Sequence, residues 1–274
     1  MEVEAFQRLD PESFYRRFIK NSVRPDGRGL RTVRPISIDV EVLSDKHVQG
    51  SALVALGSTK VLAGITLQIG QPGESTPLSG AIDVEVKLSP LSSTKFETGR
   101  PSEQAQTLGN FVKTSIVNAG ALALEDLSIE AGAYAWKLRI AIICLSYDGN
   151  LTDASLLAAM AALMCLKLPQ TQRVEDELFV TEDPPNRLQV RHIPVPLTCG
   201  VFDGAVVTDP SLLEEDLLGT QITVTSTGDG QVCGILKPGG SCASGDQLNT
   251  CIQLCGQHAV QVQGTLLSAV KATS

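Results

Sequence analysis

The residues best able to do chemistry lie in the stretch CLSYDGNLTDA, residues 144–154, between an apolar run and an alanine-rich segment. Asp148, Asn150 and Asp153 bring two carboxylates and a carboxamide close together there. Such groups on a strand-to-helix turn can hold a metal ion or act as a general base. A plain turn explains them as well, because Asp-Gly-Asn favours turns and Asp153 is placed to cap the next helix. The sequence leaves both interpretations open and favours the turn.

Hydrophobic periodicity predicts the elements that position this stretch. Phe14, Tyr15, Phe18 and Ile19 share one face of a short N-terminal helix, which needs a surface to pack on. Strands follow, the first three paired as an antiparallel meander, and the last apolar enough to be covered on both faces. These strands are ISIDVEVL, GSALVALG, TKVLAGITLQI, AIDVEVKLSPL and YAWKLRIAIICL.

Two helices complete the first half of the chain. One is predicted from Ser102, with an apolar stripe that stops near Gly120. The other runs from Ala154 to Leu168 and ends before Pro169. The stripe of the first helix must face the sheet, so the first half is predicted to be a strand-and-helix unit.

The second half repeats this order of elements. Residues 188–236 carry strand patterns that indicate a second meander, with a hairpin turn at Gly228-Asp229-Gly230. A long helix is predicted from about Gly245 to Lys271. Two similar units make an α+β fold. The predicted divisions are an N-terminal amphipathic segment at 1–23, a first half at 24–173, a linker at 174–187 and a second half at 188–274.

Composition excludes several classes of protein. A net charge of −8 argues against a chain that coats nucleic acid by itself, since phosphate binding needs clustered Lys and Arg. No apolar run approaches the roughly 20 residues that span a bilayer, so no membrane partner is expected. The seven cysteines are odd in number and form no C-x-x-C pair, which predicts reduced thiols in the core of an intracellular protein.

The sequence supports no cofactor, metal site or catalytic triad. Cys251 and Cys255, with His258 nearby, have helical metal-ligand spacing, but the cysteines fall on the apolar stripe and are expected to pack in the core. His47 and His192 have no nucleophile in a recognisable pattern.

Four motifs in this order resemble the RNase PH family. They are RPDGR at 24–28, GSALVALGSTKVLAG at 50–64, YDGNLTDA at 147–154 and KPGG at 237–240. The last two, with FYRRFIK at 14–20, resemble the non-catalytic ring subunits of the eukaryotic RNA exosome. The resemblance implies a duplicated β-β-α-β-α fold, whose first half is similar to domain 2 of ribosomal protein S5.

The arginines on which catalysis depends in this family are not matched. Active relatives carry a helix similar to G-R-x-x-E-x-x-R-x-x-x-R-x-x-R, whose guanidinium groups hold the phosphate that attacks the RNA end. The segment GRPSEQAQTLGNFVK keeps Arg100 and Glu103, but Gln106 and Asn110 stand where arginines are expected, and Lys113 replaces the third. The resemblance therefore implies a pseudo-enzyme.

The acidic half of the family's active site is ambiguous in this sequence. Active members carry aspartates after a strand, in a pattern similar to D-x-D-x-x-x-x-D. The segment VVTDPSLLEED offers Asp209, Glu214 and Asp216 without a clear register. The alternative, an active phosphate-dependent 3′-5′ exoribonuclease that has diverged, stays open, whereas the acidic charge disfavours a free-standing RNA-binding module.

The resemblance also implies partners and a location. These are other RNase PH-like subunits in a closed ring, S1-domain cap proteins, single-stranded RNA threaded through the ring, and an associated hydrolytic exoribonuclease. The expected locations are the nucleus, the nucleolus and the cytoplasm. Lys95, Arg100 and Lys113 are the candidate RNA contacts, because Lys95 and Arg100 precede a helix N-terminus that favours phosphate. A solvated loop, with charges paired to Glu97 and Glu103, is the alternative.

Overall fold

A computed structural model describes residues 7–73, 77–97, 102–174, 177–181 and 185–273. Within these ranges the chain forms two main sheets, each packed against helices, and two small strand pairs between them. The α+β fold predicted from the sequence is confirmed.

The first sheet has six strands in the order β1-β2-β3-β6-β4, with β5 paired to β6. The meander β1-β2-β3 is antiparallel as predicted, whereas β4 joins the edge parallel to β6. The strands are β1 Ile36–Val40, β2 Gly50–Leu56, β3 Thr59–Gly70, β4 Ala81–Lys87, β5 Ser128–Glu130 and β6 Tyr134–Ser146.

Strand β6 is covered on one face, so the prediction that both faces are covered is wrong. Leu138, Ile140 and Ile142 point inward and are fully buried, while Lys137 and Arg139 at the alternate positions are exposed. Side chains alternate between the faces of a strand, so these two charges decide which face meets solvent.

Two helices cover the buried face of this sheet. Helix α2, Glu103–Asn118, begins next to the predicted start at Ser102, which caps it, since the Ser102 hydroxyl accepts a hydrogen bond from the Ala105 N–H. Helix α3, Leu151–Met164, is buried along almost its whole length, since its residues are nearly all Ala, Leu and Met. A short 3-10 helix, Leu124–Leu127, precedes β5.

The start of α3 differs from the prediction. Asn150 occupies the capping position of this helix. Its φ is +53° and that of the preceding Gly149 is +80°, which confirms the turn predicted at Asp148-Gly149-Asn150. Asp153 lies inside the first helical turn and is not the cap. The cap prediction is wrong because Asp153 points into the core, where a backbone N–H and a hydroxyl of Thr198 bind its carboxylate.

The second sheet has the order β12-β11-β13-β14, which corrects the simple meander predicted for this half. Strand β11 lies inside the sheet and pairs with both β12 and β13. A short helix, α4, connects β12 to β13, so that β13 returns to the other side of β11. The predicted β13–β14 hairpin is confirmed. The elements are β11 Val195–Phe202, β12 Ala205–Thr208, α4 Leu212–Glu215, β13 Thr220–Ser226, β14 Val232–Leu236 and α5 Gly245–Thr273.

Short strands connect the two sheets. They form two antiparallel pairs, β7 with β10 and β8 with β9. The strands are β7 Lys167–Leu168, β8 Thr171–Val174, β9 Glu177–Val180 and β10 Asn186–Arg187. The predicted linker, residues 174–187, includes β9 and β10, and its residues 175–176 and 182–184 lie outside the described part of the chain.

The two halves share one large hydrophobic core. Helix α3 contributes to it from the first half, while Val195, Val262 and Leu266 contribute from the second. Cys251 and Cys255 are buried in a smaller cluster between α5 and the second sheet, which confirms their packing role. No helix in the described ranges is both long and apolar enough to cross a membrane.

The N-terminal helix α1, Pro11–Lys20, packs on the second half of the chain. The predicted apolar face is confirmed, since Phe14, Tyr15 and Ile19 are buried. The Tyr15 ring meets Phe202 of β11 edge-on, with centroids 5.0 Å apart. Helix α1 therefore finds its surface on the second sheet, far along the chain.

Candidate functional site

Arginines from the segment before β1 and carboxylates from the second half meet in a buried cluster, which we call the junction. It consists of Arg24, Arg34, Asn150, Asp209 and Glu214, each at most 8% exposed. Residues that are distant in sequence meet here because the segment before β1 passes alongside the end of β12. A buried charge is tolerated only when it is paired and hydrogen-bonded, and these charges are.

Asp209 accepts hydrogen bonds from three sides of the junction. Arg34 donates to it from Nε at 2.9 Å and from Nη2 at 2.8 Å, and Arg28 donates from Nη1 at 3.0 Å. The Asn150 carboxamide donates at 2.7 Å. Both oxygens of the Asp209 carboxylate therefore already accept hydrogen bonds from groups of the same chain.

Glu214 is bound in the same way by Arg24 and by Tyr15 of α1. Arg24 Nε donates to its Oε1 at 2.8 Å, Arg24 Nη2 pairs with Oε2, and the Tyr15 hydroxyl donates to Oε1 at 2.7 Å. The Ser211 N–H adds a further bond at 2.8 Å, which closes the capping box of α4. Thus the RPDGR motif supplies Arg24 to tie the first residues of the chain to the second half.

The pKa values of the junction carboxyls follow from these contacts. Burial alone raises the pKa of Asp209, but hydrogen bonds and charge from Arg34 outweigh it and hold the pKa below its ordinary value. Arg24 has the same effect on the pKa of Glu214. Among the described residues no guanidinium donates a hydrogen bond to Asp153, and burial raises its pKa to about 6 despite hydrogen bonds from Asn150 and Thr198.

Glu215 occupies the N-terminal end of α3. Its Oε1 accepts from the Asn150 N–H at 2.7 Å, and its Oε2 accepts from the Tyr147 hydroxyl at 2.5 Å. Burial raises the pKa of this carboxyl, while the two hydrogen bonds oppose the rise. Free backbone N–H groups make helix N-termini good sites for phosphate. In this chain a carboxylate of α4 fills that position.

The exposed face of α2 carries the side chains at the positions of the missing arginines. Gln106, Asn110 and Lys113 all point to solvent from this helix. Asp83, Glu85 and Arg139 lie near Gln106 and line one shallow groove with it. Lys113 is thus the one cation among the three positions where the family pattern has arginine.

Lys95 is paired, but not with the carboxylates expected from the sequence. Its Nζ contacts both oxygens of Asp216, at 2.8 and 2.9 Å, rather than Glu97 or Glu103. Both side chains are about half exposed. Lys95 therefore lies beside α4 and the start of α3. Arg100 lies outside the described residues.

The structure brings together groups that sequence reasoning did not assign to a site. The stretch 144–154 has a structural role, in which Asn150 and Asp153 form hydrogen bonds with each other and with the second half of the chain. In the described ranges, no group of three or more His, Cys, Asp or Glu side chains could hold a metal ion. The feature of the sequence that could have indicated the junction is the arginine-rich segment before β1. An arginine in such a segment either faces solvent or pairs with a buried carboxylate.

Two sheet-and-helix units, clamped through a buried arginine–carboxylate junction, define a bipartite α+β protein. Residues 32–169 match the family described as 3′ exoribonuclease family, domain 1. Residues 192–255 match domain 2 of the same family. The chain belongs to this RNase PH family, as its motifs predicted.

Proteins that are similar to this chain over most of their length support this assignment. The exosome complex component Rrp42 of Methanopyrus kandleri is 36% identical over 80% of this chain and 81% of its own. The Rrp42 of Methanosarcina acetivorans is 34% identical over 97% of both chains. Among solved structures, a chain of the Archaeoglobus fulgidus exosome with RNA bound to the active site is 33% identical, with a TM-score of 0.84 over 93% of this chain and 96% of that one.

Proposed function

We propose that this chain is a catalytically inactive ring subunit of an exosome, which supports assembly and guides RNA through the central channel for 3′-5′ processing and degradation. Its similarity to proteins named Rrp42 and to a chain of an exosome core supports the place in the ring. The claims of inactivity and RNA guidance go further and rest on the candidate site.

The observation that carries the proposal is the exposed face of α2. Phosphorolysis brings two anions together and stabilises charge on the transferred phosphoryl group, which calls for converging guanidinium groups. Gln106 and Asn110 are neutral amides, and Lys113 is a point charge without the bidentate geometry of arginine. This face has too little positive charge to hold phosphate against an RNA end.

The second half of the chain supports the same conclusion. Asp209 and Glu214 are saturated by buried arginines, and Glu215 already fills the end of α3. A carboxylate held in this way is not available to bind a metal or to protonate a leaving oxygen. A phosphate would also have to displace Glu215 to reach the N–H of Asn150.

The remaining parts of the proposal concern partners and place. The chain contacts other RNase PH-like subunits in the ring and S1-domain cap proteins, and an associated hydrolytic exoribonuclease degrades the RNA that passes. Threaded RNA contacts Lys95, Arg100 and Lys113. We further propose that the protein acts in the nucleus, nucleolus and cytoplasm.

A direct assay tests the inactivity. The purified chain, checked for folding by circular dichroism, is incubated with 3′-tailed RNA with and without inorganic phosphate, beside an active RNase PH enzyme. We expect no nucleoside diphosphates with phosphate and no monophosphates without it. Phosphate-dependent release by the chain alone, above a no-enzyme blank, would establish the alternative, an active phosphate-dependent exoribonuclease.

A further inference from the structure

A cleft outside the candidate site lies where the segment before β1 faces helix α5. It encloses about 490 Å³. Its apolar floor is formed by Val33, Ile36, Leu197, Leu254 and Val262. A concave apolar surface of this size with a few convergent polar groups is typical of small-molecule sites.

The polar wall of the cleft comes from one face of α5. Gln257, His258 and Gln261 line it, and their spacing of one, three and four residues places them together on the helix. Within the described part of the chain, none of these three side chains forms a hydrogen bond to the protein. Two exposed carboxamides and a partly buried imidazole therefore line the cleft without a hydrogen-bond partner among the described residues.

Arg31 supplies the positive charge on the opposite wall. Its neighbours Arg24, Arg28 and Arg34 are all paired with carboxylates. Arg31, in contrast, lines the cleft and has no ion pair or hydrogen bond to any described residue. No Asp or Glu is among the described residues that line this cleft. The cleft therefore favours an anion.

His258 adds a flat and neutral surface. Burial lowers the pKa of its imidazole, so the ring is uncharged at neutral pH and offers one donor and one acceptor. It is half-buried beside Leu254 and Val262 of the same helix. A planar heterocycle can stack on such a ring while its edge reaches the neighbouring carboxamides.

We propose that this cleft binds a single nucleotide, with its phosphate on Arg31 and its base between His258 and the apolar floor. The carboxamides of Gln257 and Gln261 then meet the hydrogen-bonding edge of the base. The nucleotide is either free or the phosphorylated end of an RNA strand, since both present the same groups. This role is separate from the proposed catalytic inactivity, which the phosphorolysis assay tests.

Calorimetric titration of the full chain, alone or with its ring neighbours, tests the proposal with adenosine 5′-monophosphate, adenosine and inorganic phosphate. The variant Arg31→Gln should weaken monophosphate binding about tenfold, because it removes a charge-assisted hydrogen bond, and leave adenosine binding unchanged. Arg8→Gln is the matched control, since Arg8 is a second arginine without an ion pair in the described ranges and does not line this cleft.

A second variant tests the hydrogen bonds to the base. Gln257→Ala with Gln261→Ala should weaken adenosine and the monophosphate by a similar factor, because both ligands carry the same base. A 5′-phosphorylated oligonucleotide that binds like the monophosphate, and binds more weakly to Arg31→Gln, identifies an RNA end as the ligand, whereas its exclusion identifies a free nucleotide. Equal monophosphate affinity in wild type and Arg31→Gln, or phosphate binding as tightly as the monophosphate, would overturn the proposal.

Discussion

The junction and the exposed face of α2 use similar polar side chains in opposite ways. In the junction, Arg34 is 8% exposed and Asp209 is fully buried, and each charge meets a partner. On α2, Asn110 and Lys113 face solvent. Buried charges hold the two halves of the chain together, while exposed ones are free to meet a ligand.

This difference shows why residue type alone does not identify a catalytic site. A carboxylate saturated by guanidinium groups has no lone pair left for chemistry, and its removal leaves an uncompensated buried cation. A half-exposed pair such as Lys95 with Asp216 is screened by water and can exchange partners. Substitutions in the junction are therefore expected to lower stability strongly, whereas substitutions on the exposed surface are expected to change ligand affinity by a small amount.

The largest effect is expected from Asp209→Ala in the junction. The change leaves the guanidinium of Arg34 buried without its carboxylate partner. Breaking a buried ion pair in this way lowers the free energy of unfolding by about 3–5 kcal/mol. Asp216→Ala is the matched control, because its pair is half exposed and should contribute less than about 1 kcal/mol. Urea unfolding of both variants measures the difference. Similar decreases in the two variants would contradict the structural role of the junction.

A smaller effect is expected in the pH dependence of stability. The folded pKa of Asp153 is about 6, above an unfolded value of about 3.9, so the folded state binds more protons between these values and stability falls as pH rises through them. Asp209 and Glu214 have lowered pKa values, so their contribution is complete above about pH 4.5 and is lost only in more acid solution.

Asp153→Asn should therefore flatten the slope of unfolding free energy against pH between about 5 and 6.5, by up to about 1 kcal/mol per pH unit. Glu215, whose pKa is also raised, keeps its contribution in both proteins. Chemical unfolding at several pH values gives the two slopes. Parallel curves would show that Asp153 does not take up a proton in this range.

The smallest effect is expected from the exposed region. Changing Lys95 and Arg100 together to Ala should leave the ring assembled and weaken the binding of single-stranded RNA of any sequence. The salt dependence should flatten by up to about two units of slope, roughly 0.7 for each phosphate that is no longer neutralised. Affinity measured at several salt concentrations gives this slope, and an unchanged slope in an intact ring would place the RNA path on neighbouring subunits.

The pairing of Lys95 allows a sharper form of this test. Asp216→Asn removes the charge that holds Lys95, so RNA affinity should rise about twofold to threefold if Lys95 then reaches phosphate. Lys95→Ala in the same background should abolish the increase. An increase that survives the removal of Lys95 would reflect the lower negative charge alone.

Much of the fold could be predicted because local patterns agreed with it. Alternation indicated β1 to β3, an apolar stripe beginning near Ser102 indicated α2, and four aligned apolar residues indicated the buried face of α1. The wrong predictions share a cause. The central place of β11 and the single covered face of β6 depend on how distant segments pair and pack.

The candidate site was predicted less well than the fold. The absence of two arginines on α2 is visible in the sequence, because a neutral amide cannot replace a guanidinium in any fold. The partners of Asp209, Glu214 and Lys95 could not be predicted, since each contact joins residues more than 100 positions apart or lies across the two halves.

The sequence by itself determined the family, the class of fold and the charge available on α2, because motifs, periodicity and residue types are properties of the chain. Only the tertiary structure decided which charges are buried together. Arg24 and Arg31 lie seven positions apart in one segment, yet one is buried on Glu214 and the other lines an open cleft. Burial sets the cost of an unpaired charge, and burial is a property of the packed molecule.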